Sequence, residues 1–578
     1  MKRFLLGVLA GIIIAGVSVI VLFFATLKLA DRTPAVAGNF ALAVRLSGSM
    51  PEVSSTSLPF PGLESQTPLT VLEVYRILHG AARDARVRGV LLLPSGAGAG
   101  WGKTEEIREG IAALRAAKKP VYVWLQTPNM REYYLAAGAD KVFVAPEDYV
   151  DVKGLRLEAT YFKGTLDKIG VRMDVEHAGR YKDAGDIFTR TSMSPETRES
   201  LNALLDGLYA RIVSGIAEGR GKTPEEVRAL IDQGPFLAPK AKEAGLVDGL
   251  LYERQAREAL IEAAGVGAND ILNARRYLAA GAGGEPRRAK RIAVLVAQGD
   301  ILRFSSDGLF TEDQAITPAG MGRLIRRISE DASIAGVILR VDSPGGDALA
   351  SDEILNSLRM LSKKKPMVIS MSDAAASGGY YISMTGDPVI AYPGTITGSI
   401  GVVFGKVNLK GLYDKLGISA EILKRGTNAD IDSAIMPMTP EARRKIREGV
   451  DFVYEGFLKR VAEGRNKPVE QIAPVAEGRV WLGMDARERG LVDELGGLTA
   501  AVNKLREKAG IGAAEPVTLV AFPERRSLFQ QLMQRDDEAV TDLPFSAKQI
   551  LLKDAGPGLA PWLAGGYLRS MPFRLEFR

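Results

Sequence analysis

Asp373-Ala374-Ala375-Ala376-Ser377-Gly378-Gly379-Tyr380-Tyr381 is the stretch on which the reading of this chain turns. The apolar run Met367 to Met371 leads into it with the character of a strand, and a helical pattern follows. A serine between Ala376 and Gly378 at a strand-to-helix corner is unhindered. Its hydroxyl can meet a carbonyl carbon while the N–H of Gly378 points at the carbonyl oxygen. Small residues at a corner also serve plain close packing, so this stretch alone leaves both readings open.

A second stretch shifts the balance. Val337-Ile338-Leu339-Arg340-Val341 reads as a strand and runs into Asp342-Ser343-Pro344-Gly345-Gly346-Asp347. Paired glycines after a strand let the backbone approach another group closely, and an N–H here can complete an oxyanion hole. A segment of helix length separates the two stretches.

The chain around them is two copies of one unit. Residues 84–93 match residues 331–340, and Tyr133-Tyr134 match Tyr380-Tyr381 in the same register. Further on the register slips slightly: Ala217-Glu-Gly-Arg220 matches Ala462-Glu-Gly-Arg465, and Gly245-Leu-Val-Asp248 matches Gly490-Leu-Val-Asp493. Each copy alternates strand and helix, which predicts an α/β fold with a largely parallel sheet. In the first copy, strands are expected at Val90–Leu93 and Val121–Leu125, flanking a helix from about Thr104 to Ala117. Thr104 and Ser351 are the expected N-caps of this helix and its counterpart. Ser194-Pro195-Glu196 and Thr439-Pro440-Glu441 each read as N-cap, proline in the first turn and acid, opening long helices to roughly Glu218 and Glu463. The boundaries are residues 31–265 for the first unit, a Gly-rich, charged linker at 266–290, residues 291–521 for the second unit, and an unmatched extension at 522–578.

Composition excludes several chemistries. With 578 residues, 46% hydrophobic and 25% charged, the chain is an ordinary globular protein of several domains. The net charge is +6 with lysines, arginines and acids interspersed, so no nucleic-acid partner is expected. The absence of cysteine removes thiol nucleophiles, disulfides and thiolate metal sites, and His79 and His177 are too few for an imidazole cluster. No cofactor or metal is expected. Met1-Lys2-Arg3 precedes an apolar run from Phe4 to Leu27, long enough to span a bilayer and lacking a small-residue cleavage site. Residues 1–30 are therefore expected to be a cytoplasmic tip and an uncleaved transmembrane anchor.

Asp342-Ser-Pro-Gly-Gly346, Ala375-Ala-Ser-Gly-Gly-Tyr-Tyr381 and Thr397-Gly-Ser-Ile-Gly401, in this order, resemble the Clp protease and crotonase superfamily. More closely they resemble the signal peptide peptidase A (protease IV) family, in its long, internally duplicated form. The resemblance implies two tandem Clp/crotonase-like domains and a Ser-Lys dyad. Opposite Ser377 in the first copy stands Met130, and opposite Lys182 in the second stands Ala429, so each copy lacks what the other keeps. By this resemblance Ser377 is the nucleophile, Lys182 the base and Ser399 the residue that orients the lysine amine. Gly378 and Gly346 supply the oxyanion N–H groups, with Gly345 as the fallback for the second. His177 lies close to Lys182 in sequence, but the family uses no histidine. A lysine serves as a base only if burial disfavours its ammonium form. The function implied is a membrane-anchored serine endopeptidase acting on cleaved signal peptides and other extended peptides. It is expected on the periplasmic side of a bacterial inner membrane, as a homo-oligomer and most simply a tetramer. A crotonase-type acyl-CoA enzyme and a catalytically inactive membrane scaffold are the alternatives.

Overall fold

The structure is a computed structural model that describes residues 38–53, 67–281, 289–304, 315–524 and 567–570, with a few isolated positions elsewhere. The apolar runs of the first unit form a six-stranded sheet. Its order is Ile271–Asn273, Phe40–Ser49, Val87–Gly98, Val121–Leu125, Lys141–Val144, Gly249–Leu250, and every neighbouring pair is parallel. The second unit repeats this strand for strand with Val517–Phe522, Lys290–Gln298, Ile334–Ser343, Met367–Ala376, Val389–Ala391 and Glu494–Leu495, again parallel. Residues 266–290, read as a linker, contribute the edge strand Ile271–Asn273 and the helix Ala274–Ala279 before Lys290 opens the second sheet.

The repeated residues are repeated locks. Tyr133 Oη donates to the Leu246 carbonyl at 2.7 Å, and Tyr380 Oη donates to that of Leu491 at 2.8 Å. Arg220 meets Asp248 at 2.9 Å, and Arg465 meets Asp493 at 2.9 Å. Ser194 and Thr439 cap the long helices Pro195–Arg220 and Pro440–Arg465. The earlier helices begin ahead of the expected caps. They run Trp101–Ala116 and Ala348–Ser362, capped at Gly100 and Asp347. Thr104 and Ser351 lie inside them, each hydroxyl donating to the carbonyl four residues back at 2.7 Å. A hydroxyl satisfied this way mimics a cap in sequence while sitting in the first turns.

Strands buried on both faces place alternate residues in different cores. Along Ile334–Ser343, Val337, Leu339 and Val341 enter the core of the second unit. Ile338 instead joins Trp101, Ile107 and Leu78 of the first unit, with Val368, Leu498 and Val502. Arg340 points the same way and is fully buried. It pairs with both carboxylate oxygens of Glu52 at 3.0 and 3.2 Å, and donates to Ser370 and Ser372. Breaking such a pair by removing one partner costs about 3–5 kcal/mol, so this contact fixes the two units in one arrangement.

A third sheet crosses between the units. Arg172–Ala178 of the first pairs antiparallel with Val402–Asn408 of the second, from Arg172 opposite Asn408 to Ala178 opposite Val402. Tyr567–Ser570, from the extension at 522–578, lies between Val402–Asn408 and Gly345–Asp347 and is antiparallel to both.

The sequence reading of residues 1–30 is corrected here. The run Phe4 to Leu27 lies outside the described residues except at isolated positions. Among the described residues, no helix is long and apolar enough to cross a membrane. The transmembrane anchor is therefore withdrawn. With it go the membrane partner, the single-pass inner-membrane location and the periplasmic placement of the catalytic part.

Candidate active site

Ser377 sits where the strand Met367–Ala376 ends and the short helix Gly378–Ile382 begins. Its backbone has φ 55° and ψ −113°, a conformation that costs a non-glycine residue about 1–3 kcal/mol. The turn is held because the Ser377 N–H donates to the Gly398 carbonyl at 2.8 Å and the Tyr381 N–H donates to the Ser377 carbonyl at 2.8 Å. Gly346, at φ 151°, lies beside this corner. A Cβ built on Gly378 would stand 3.1 Å from the Gly346 nitrogen, so the two backbone segments are in contact and both positions must be small. A Cβ on Gly346 would run into the Ile301 carbonyl at 2.1 Å. Gly378 and Gly346, the glycines that the resemblance singles out, thus lie side by side at this corner.

Lys182 arrives from the other unit. It follows the strand Arg172–Ala178, whose pairing with Val402–Asn408 sets Ala178 against Val402, just beyond Ser399. The Tyr181 N–H donates to the Glu477 carbonyl at 2.7 Å and fixes the loop. The lysine side chain then passes between Gly401 and Gly478. A Cβ on Gly478 would meet Lys182 Cβ at 2.6 Å, and one on Gly401 would meet Lys182 Cδ at 3.1 Å. Gly401 closes the quoted stretch Thr397 to Gly401, and its place beside the lysine stem explains the glycine. Gly478 carried no signal in the sequence.

At its tip, Lys182 Nζ is 2.8 Å from Ser377 Oγ, 2.9 Å from Ser399 Oγ and 3.0 Å from the Ser399 carbonyl oxygen. Lys182, Ser377 and Ser399 are all fully buried. Neither histidine enters: His177 is exposed against the Gly179 carbonyl, and His79 packs on Tyr75. Ala429, the counterpart of Lys182, is exposed on a turn where Asp430 pairs with Lys424. Among the described residues no cluster of acidic and histidine side chains is arranged to hold a metal ion.

Asp183 adjoins the lysine. Burial pushes its carboxyl up to about 6, although Thr197 Oγ1 donates to it. A carboxyl raised above its unfolded value of 3.8 binds its proton more readily in the folded chain. Its contribution to stability is full below pH about 4 and is lost as pH rises through about 6. Thermal melts between these values and pH about 8 should show that step in the native chain. The difference between the native chain and Asp183→Asn should isolate it; a difference that does not vary with pH would remove the assignment.

Two residues near the site gave no sequence signal. Lys103 is buried and ion-paired with Asp342 and Asp373, yet Gly100-Trp101-Gly102-Lys103-Thr104-Glu105 looks like the start of a surface helix. Arg479 sets its guanidinium over the rings of Tyr181 and Trp481 and pairs with Glu199, bracing the lysine loop from outside.

A buried serine and lysine are in hydrogen-bond contact beside two closely apposed glycines on an α/β scaffold, an arrangement able to supply a nucleophile and a base without histidine. The model of Peptidase family S49 matches residues 113–267 and 359–512, once in each unit, and the chain belongs to that family. It is 36% identical over 481 residues to "Serine protease SPPA, chloroplastic" of Arabidopsis thaliana, covering 82% of this chain and 70% of the relative. It is 30% identical over 504 residues to "Protease 4" of Haemophilus influenzae, covering 82% and 80%. A "Protease 4" of Salmonella typhi is 30% identical over 457 residues, covering 76% and 72%. The chain is accordingly a serine peptidase, and the acyl-CoA enzyme and the inactive scaffold are set aside.

Proposed function

We propose that Ser377 and Lys182 are the dyad of an endopeptidase that hydrolyses extended peptides, cleaved signal peptides among them. The observation that carries this is the 2.8 Å contact between Lys182 Nζ and Ser377 Oγ inside a fully buried site. The amine is in hydrogen-bond contact with the Ser377 hydroxyl and with the hydroxyl and carbonyl oxygens of Ser399. In the neutral form, the one that acts as a base, its lone pair can accept the Ser377 proton while its N–H groups donate to Ser399. Lys182 takes the Ser377 proton as Oγ attacks the scissile carbonyl carbon, and the oxyanion falls to the N–H groups of Gly378 and Gly346. The ammonium so formed protonates the departing amine, leaving an acyl-serine. Water, deprotonated by the same amine, attacks the acyl carbon, and the proton returns to Ser377 Oγ as the acid product leaves.

A fluorophosphonate probe tests the assignment directly. Labelling should map to Ser377 and vanish in Lys182→Met; labelling at another serine would overturn it.

The edge of Gly345–Asp347 supports a substrate in extended form. An extended peptide pairing there would present its carbonyl beside Gly346. Tyr567–Ser570 lies along that edge, with Leu568 buried against Val403 and Ala184. A chain ending at residue 566 is therefore expected to show a several-fold lower KM for an unstructured peptide, with probe labelling of Ser377 retained. An unchanged KM would mean that peptides bind elsewhere.

A further inference from the structure

Two aspartates stand at the roots of the loops that meet at Ser377. Asp342 lies near the end of the strand Ile334–Ser343, ahead of Gly346, and Asp373 lies in Met367–Ala376, ahead of Ser377. These strands pair in register from Val337 opposite Met367 to Val341 opposite Met371. The ladder then slips, and Ser343 faces Ala375. A slip of this kind leaves main-chain groups without ladder partners. The Ala374 N–H is taken up by Asp342 Oδ1 at 3.2 Å, so a side chain stands in for the missing rung.

Asp373 turns toward the first unit. Its Oδ2 accepts from the Gly100 N–H at 2.9 Å and its Oδ1 from the Lys103 N–H at 2.8 Å. It thereby caps the helix Trp101–Ala116, whose own N-cap glycine has no side chain to do so. Lys103 Nζ lies 2.7 Å from Asp342 and 3.3 Å from Asp373. One ammonium of the first unit joins both roots.

We infer that Lys103 is a positioning residue for catalysis, holding the Gly346 loop and the Ser377 loop at the separation that the oxyanion requires. This rests on the reading of Ser377 and Lys182 as the dyad. Without the ammonium, two largely buried carboxylates would face each other across the slipped ladder. Like charges in such surroundings separate or make one carboxyl take up a proton, and in both cases the ammonium's hold on the two roots is lost. The loops they root would then shift, and a displacement of ~1 Å at reacting atoms costs on the order of a hundredfold in rate. The two buried lysines divide the work by their neighbours. Burial by itself would lower the Lys103 pKa, but Asp342, Asp373 and Glu52 outweigh it and hold the value well above the ordinary range. Lys103 therefore stays an ammonium, whereas Lys182 meets the hydroxyls of Ser377 and Ser399.

The test compares the full chain with Lys103→Met, Lys103→Arg and Ser377→Ala. Three readouts are taken: kcat and KM on a peptide, inhibition by a peptidyl aldehyde that forms a tetrahedral adduct with serine, and melting temperature. Lys103→Met is expected to lose about a hundredfold in kcat with KM within about twofold. Aldehyde affinity should fall in step with kcat/KM. Lys103→Arg, which keeps the charge, should recover at least about tenfold of the loss. If Lys103→Met does not fold, Lys103→Gln keeps a donor between the two carboxylates without the charge, and should show a partial kcat loss at retained KM. A folded Lys103→Met with native kcat, or one that loses kcat while aldehyde affinity stays native, overturns the inference as long as Ser377→Ala is inactive. Activity in Ser377→Ala would instead overturn the dyad reading beneath it.

Discussion

Ser377→Ala is expected to lower peptide hydrolysis by a factor on the order of 10⁴ or more, the scale at which single nucleophile removals act in serine peptidases generally. The fold should survive, because the corner accepts a methyl where it already holds a hydroxymethyl. The loss removes one partner of a buried amine, a cost of about 1–3 kcal/mol. The backbone gives this prediction a second arm. Ser377 sits at φ 55° and ψ −113°, and alanine inherits that strain while glycine does not. Ser377→Gly should therefore be as inactive as Ser377→Ala but melt at a higher temperature. The pair separates chemistry from strain: equal activity loss assigns the hydroxyl, and the melting difference reads the energy stored at the corner. Hydrolysis near the native rate in either variant would remove Ser377 from the mechanism.

The contact between Ser377 and Lys182 was legible in the sequence because the family resemblance and the duplication together pointed at both residues. Met130 stands opposite Ser377 and Ala429 opposite Lys182, so each copy lacks one member of the pair, and the two members that are kept meet in space. The strands were legible for a similar reason. Parallel strands buried on both faces read as unbroken apolar runs, so Val121–Leu125 and the core of Ile334–Ser343 stood out. What stayed hidden depends on contacts distant in the chain. Arg340 interrupts an apolar strand, and only the second face of that strand, packed on Glu52 of the other unit, accounts for it. Lys103 looked solvated because its partners Asp342 and Asp373 are remote in sequence. Tyr567–Ser570 pairs with a three-residue strand of two glycines and an aspartate, a pairing written in backbone and invisible to side-chain patterns. The apolar run at the N-terminus lies outside the described residues except at isolated positions, and hydropathy by itself was the whole basis for the anchor withdrawn above.

Lys182→Met keeps an apolar stem between Gly401 and Gly478 and deletes the amine, so folding should persist while activity falls by a factor on the order of 10⁴ or more. Lys182→Arg should not restore it. A guanidinium stays charged at every working pH and has no lone pair for the Ser377 proton. Its planar head is also bulkier than the ammonium it would replace, whose Nζ already touches Ser377 and Ser399. The pH dependence gives the sign. A base works only when deprotonated, so in the native chain kcat/KM should rise with pH as Lys182 loses its proton and then level off. In Lys182→Met, any residual rate should keep rising with hydroxide concentration and show no plateau. Ser399→Ala offers an intermediate. It removes one acceptor of the amine, leaves the Ser399 carbonyl contact at 3.0 Å, and should cost activity without abolishing it. A native plateau that survives unchanged in Lys182→Met would assign the base to another group, and the 2.8 Å contact with Ser377 would then be structural.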